Sequence, residues 1–117
     1  MKIIHLQSTV SEVEISSTEI NIILCSLMVI VEKIPLWEFQ TIMGYYIEEV
    51  QSLIDKLHTI TVNNQSIESH NFSLSLDELI IIKGALRECG YAARNKSLEK
   101  EVFQNLLELI GQMKNKD

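Results

Sequence analysis

One short pattern, written twice, limits this chain more than any other feature: a serine, two further residues and a glutamate, set directly before an apolar run. It occurs as Ser16-Ser17-Thr18-Glu19 and again as Ser75-Leu76-Asp77-Glu78. In such a capping box the hydroxyl accepts from the N3 amide and the carboxylate accepts from the N-cap amide, so two donors orphaned at a helix start are satisfied. Ile15 and Ile20 in one copy, Leu74 and Leu79 in the other, fall at N′ and N4, where a hydrophobic staple fixes the entering chain. Two helices therefore begin alike.

The likeness extends on both sides. Residues 13–31 align with 72–90, and downstream Val50-Gln51-Ser52-Leu53-Ile54-Asp55 can be laid over Phe103-Gln104-Asn105-Leu106-Leu107-Glu108 after a short deletion. The chain reads as a divergent internal duplication, with pseudo-repeats 13–57 and 72–113 joined by a linker at 58–71. A length of 117 residues suits one domain with a single core.

Read in order, the sequence predicts a mainly α fold of about five helices, with short strands allowed near residues 2–7, 12–15 and 60–74. The first helix, 17–33, is apolar on almost every side, which is the signature of a central helix. Pro35 favours a new helix at 36–43, and Gly44 stops it in the position that prefers a left-handed residue. Val50, Leu53, Ile54 and Leu57, at i, i+3, i+4 and i+7, then mark a clear amphipathic helix with Glu48 and Glu49 in its first turn. Residues 58–71 lose this period, with a strand allowed around 60–62. Further helices are expected at 76–89, stopped by Gly90, and at 97–113, capped by Ser97.

A formal charge of −6 is unevenly held. Residues 1–70 contain nine acids against Lys2, Lys33 and Lys56, whereas residues 71–117 contain seven charges of each sign. An acidic surface of this kind opposes phosphate-backbone binding and suits a basic protein partner. Residues 20–31 are too short a run to cross a bilayer, and they contain Asn21 and Ser26. The first residues lack a sustained apolar segment with a cleavage site, so the cytoplasm is the expected location and no membrane association is expected. In that compartment Cys25 and Cys89 read as buried free thiols, with a disulfide or a reactive thiol as the lesser alternative.

No enzymatic signature is present: the sequence has no P-loop, no GxGxxG and no nucleophile elbow. His5, His58 and His70 share no ligand spacing with each other or with the cysteines, so neither a metal nor another cofactor is expected. The acid pairs Glu48-Glu49 and Asp77-Glu78 fall in first turns of helices, where capping and the helix dipole account for them. A helix-turn-helix drawn through 36–57 would set Glu48 and Glu49 against phosphates, which argues against nucleic acid.

The aromatic residues Trp37, Phe39, Tyr45 and Tyr46 cluster among carboxylates. Interfaces favour Trp and Tyr as anchors, and a cationic partner would add a demand for acids. Trp37, Glu38, Tyr45, Tyr46, Glu48, Glu49, Ser52 and Asp55 are therefore the candidate partner-binding residues, with Phe39 assigned to the core. A different reading takes the very apolar 20–31 helix as the seam of a homodimer or of a larger assembly, in which the chain is a structural or adaptor subunit.

The stretch Glu38-Phe39-Gln40-Thr41-Ile42-Met43-Gly44, with Glu48-Glu49-Val50 and Leu53-Ile54 after it and the capped apolar helix before it, resembles small bacterial proteins. Some of these are immunity proteins of contact-dependent growth inhibition and related polymorphic toxin systems. The likeness covers residues 13–57 and is echoed in 72–110. It implies a non-enzymatic cytosolic antidote that binds a cognate toxin domain, often a nuclease, and covers its substrate site; it carries over no catalytic residue.

Overall fold

A computed structural model describes residues 1–63, 69–89 and 96–115. Three strands, β1 (Lys2–Leu6), β2 (Val10–Ser16) and β3 (Ser69–Ser75), form one antiparallel sheet in the order β1-β2-β3. Five helices accompany them: α1 (Ser17–Lys33), α2 (Leu36–Met43), α3 (Ile47–Asn63), α4 (Leu76–Cys89) and α5 (Lys96–Lys114). The fold is thus α+β, not the mainly α domain with incidental strands that the sequence suggests.

The reason lies in what alternation looks like when its inward members are not all apolar. Ser11, Val13 and Ile15 of β2 are buried, as are His70, Phe72 and Leu74 of β3, while Glu12, Asn71 and Ser73 face solvent. Ser11 and His70 dilute the period-2 signal at the two ends. Pairing supplies what propensity does not: seven consecutive residues of β2 oppose seven of β3. Burying each large apolar side chain on the inner face contributes roughly 1.5–3 kcal/mol. β1 joins the other edge of β2 with a register shift between Ile3 and His5.

Residues 60–62 correct a second expectation, since α3 continues through them to Asn63. Thr61 donates its hydroxyl to the Leu57 carbonyl at 2.7 Å, one helical turn back, so a β-branched run is held in the helix by its context.

Both capping boxes form. The Glu19 amide donates to Ser16 Oγ at 3.2 Å and the Ser16 amide donates to Glu19 Oε1 at 3.0 Å. The corresponding distances are 3.1 Å and 2.9 Å for Glu78 and Ser75. The stop assigned to Gly90 and the cap assigned to Ser97 lie outside the described residues and side chains.

The β2–β3 register relates the halves in space. The offset that lays Ser16 on Ser75 also lays Val13 on Phe72 and Val10 on Ser69. In the sheet Val13 pairs with Phe72, Val10 with Ser75 and Ser16 with Ser69. Each pair is thus matched by its own mirror, as a local two-fold axis through Val13 and Phe72 requires. The helices follow the same plan: α1 packs on α4, α3 on α1 and α5 on α4. Among the described helices α2 stands outside this plan, resting on α3 and α4.

The core runs through both halves, with Phe39, Phe72, Ile15, Ile23, Leu53 and Leu79 among its largest fully buried side chains. Among the described residues no helix is long and apolar enough to cross a membrane.

Candidate functional site

The proposed partner-binding residues lie on α2, on the connection after it and on the first turns of α3. Pro35 precedes α2 in an extended conformation, and its carbonyl accepts from the Glu38 amide at 2.9 Å. Eight residues allow one inward stripe, taken by Phe39 and Met43. Gly44 then stops the helix at φ 80°, where a side chain would be strained, and its amide donates to the Gln40 carbonyl.

With Phe39 and Met43 inside, Leu36 and Trp37 are left in solvent at 71% and 81% exposure. A tryptophan this exposed loses the burial that normally accompanies its large apolar surface, which makes it the most conspicuous residue of the face. Tyr46 is also exposed, at 58%. Tyr45 is half-buried and donates its hydroxyl to Asp77 Oδ1 at 3.0 Å, tying the start of α3 to the start of α4. Burial, the hydrogen bond to Asp77 and the negative charges of Asp77 and Glu49 push its phenol up to about 12, so it stays a neutral donor. Its part is structural.

On α3 the inward residues are Val50, Leu53 and Leu57. Glu48, Ser52 and Asp55 fall on the opposite side and are exposed, as the helical period places them. Glu49 is exposed too, yet its Oε2 accepts from the Tyr46 amide at 2.8 Å, which is one half of a capping box. Glu38 is half-buried. Trp37, Tyr46, Glu48, Ser52 and Asp55 are therefore exposed, while Tyr45 and Glu49 make hydrogen bonds within the chain.

Sequence reasoning missed one feature nearby. α1 is not apolar all round in its setting: Asn21, Cys25, Met28 and Glu32 form an exposed stripe at i, i+4, i+7 and i+11. Cys25 is a free, exposed thiol, contrary to the buried one expected, while the side chain of Cys89 lies outside the description. Cys25, Met28, Val29 and Glu32 face Gln51 and Ile54 of α3 across an open groove of about 510 Å3. The spacing of Asn21 and Glu32 is the only sequence signal for it, because Cys and Met between them read as core.

Among the described residues no three His, Cys, Asp or Glu side chains converge as a metal site requires. No family model, curated protein or solved structure matches this chain.

Proposed function

We propose that this chain is an immunity protein: a non-enzymatic cytoplasmic domain that binds a cognate toxin domain of the nuclease class and covers its basic substrate site. The observation that carries the reading is the exposure of Trp37, 81% accessible, in a stretch, residues 37–55, that also exposes Glu48 and Asp55. A nuclease must hold phosphates in a cationic cleft, so a protein that blocks it needs carboxylates to meet that field and an aromatic anchor to slow dissociation. The concentration of the whole net charge in the first half fits the same demand.

The test is co-expression with the toxin domain encoded immediately upstream of the gene, reading complex formation and growth together. A one-to-one complex with rescued growth is expected. The acidic face is then challenged with Glu48→Lys and Asp55→Lys together, leaving Glu49 to its capping role. Reversing two interface charges is expected to weaken binding by roughly a hundredfold or more at low salt, with the fold kept. Undiminished protection by the doubly substituted protein would remove this face from the proposal.

A further inference from the structure

The groove between α1 and α3 adds apolar walls to the exposed acidic residues of α3 already described. Its walls are apolar for most of their surface, from Cys25, Met28, Val29 and Ile54, and Met28 is 56% exposed. From Cys25 to Glu32 it follows α1 for about 10 Å, two helical turns. An apolar groove between two helices can receive the i, i+4, i+7 stripe of another helix.

The repeat equivalent of Cys25 is Gly84 on α4, and there the position is covered by a short helix, α2, whose Met43 Cε lies 3.2 Å from where a Cβ on Gly84 would stand. Among the described residues α2 has no second copy. The first half lays α2 over Gly84 of the second, while Cys25, the equivalent position in the first half, is exposed.

Charge narrows the choice of occupant. Glu32 lies in the groove wall, and Glu48 and Asp55 are exposed on the α3 turns before and after Gln51 and Ile54. Lys33 is the one exposed cation of α1 at that end, and Lys56 of α3 is engaged with Glu78. A second copy of this acidic chain would bring like charges together. We infer that the groove receives an amphipathic helix of a basic partner protein, with its apolar residues between Met28 and Ile54 and its lysines or arginines towards Glu32, Glu48 and Asp55. This rests on the reading of the chain as a binder of a basic protein, and adds to it the element by which the partner is gripped.

Cys25 makes the groove directly observable. In a Cys89→Ser variant it is the sole thiol, and its alkylation by N-ethylmaleimide reports occupancy. The probe is a synthetic leucine- and lysine-patterned peptide of about four helical turns; its control carries glutamate for every lysine. The basic peptide is expected to slow alkylation about tenfold at saturation, the acidic one to leave it unchanged, and Met28→Asp to abolish the slowing. Equal protection by both peptides, protection by neither, or full protection in Met28→Asp would overturn the inference. So would slowing by higher protein concentration alone, which would make a second copy the occupant. The two readings separate cleanly: a toxin complex indifferent to Met28→Asp sinks the groove and keeps the immunity function, whereas groove-specific peptide binding without growth rescue does the reverse.

Discussion

The two capping boxes are the same device in different surroundings, and the contrast shows how a duplicated motif is made to serve a fold that is not fully symmetric. Ser16 with Glu19 and Ser75 with Glu78 have nearly the same hydrogen bonds. Each carboxylate also holds a cation, but from unrelated parts of the chain. Glu19 accepts from the Met1 ammonium at 2.7 and 2.8 Å and is buried; Glu78 accepts from Lys56 of α3 at 2.8 and 3.0 Å and is half-buried. Lys56 also donates to the Ser73 carbonyl at 2.6 Å, so α3 is tied to strand β3 as well as to α4. One box anchors the chain that enters β1, and the other anchors a helix.

Burial predicts that the boxes differ in worth. Glu19→Ala removes the cap and leaves an ammonium with little water around it, and should cost about 3 kcal/mol by urea denaturation. Glu78→Ala, with Lys56 free to turn into solvent, should cost about 1 kcal/mol. Equal losses would mean that burial does not distinguish the two.

The buried box at Glu19 has a pH signature. Burial acts to raise the Glu19 pKa, but the hydrogen bonds from the Met1 ammonium and from Ser16, with the ammonium charge, outweigh it, so the folded value lies below the ordinary 4.5. With the folded pKa depressed, the unfolded chain binds the proton first. The stabilisation is therefore whole above pH 4.5 and is lost as pH falls through the folded value. Glu19→Gln should lose this component of the acid slope, seen by subtracting its stability curve from that of the unaltered chain.

Exchanging equivalent residues probes the asymmetry caused by α2. Gly84→Cys places the first-half residue under Met43, where even a Cβ comes within 3.2 Å of a flexible methyl; it should cost about 1–2 kcal/mol in thermal or urea unfolding. Cys25→Gly meets open solvent instead and should cost only the helical penalty of glycine, about 0.5–1 kcal/mol. The smallest effect belongs to Lys56→Met, about 0.5 kcal/mol, because its ion pair is partly wet.

Local signals were legible where the physics is local. The caps, the stop at Gly44, the stripe of Val50, Leu53 and Leu57 and the core place of Phe39 all follow from contacts within a turn or two of helix. The outward direction of Glu48, Ser52 and Asp55 follows from the same period. The capping duty of Glu49 was hidden, because a carboxylate in a first turn satisfies the dipole whether or not it also closes onto Tyr46.

By itself, the sequence determined that two helices start with the same box and that the chain repeats itself, since hydroxyl, carboxylate and backbone amide lie within four residues of each other. Only the tertiary structure decided that residues 10–16 and 69–75 form a ladder centred on Val13 and Phe72, because a strand's partner lies far away in sequence and its pairing is fixed by shared burial. It also decided that Gly84 is covered and Cys25 is not. Which face of a helix meets solvent depends on what else the chain lays over it, and here α2 of the first half lies over Gly84 of the second, while Cys25 is left exposed.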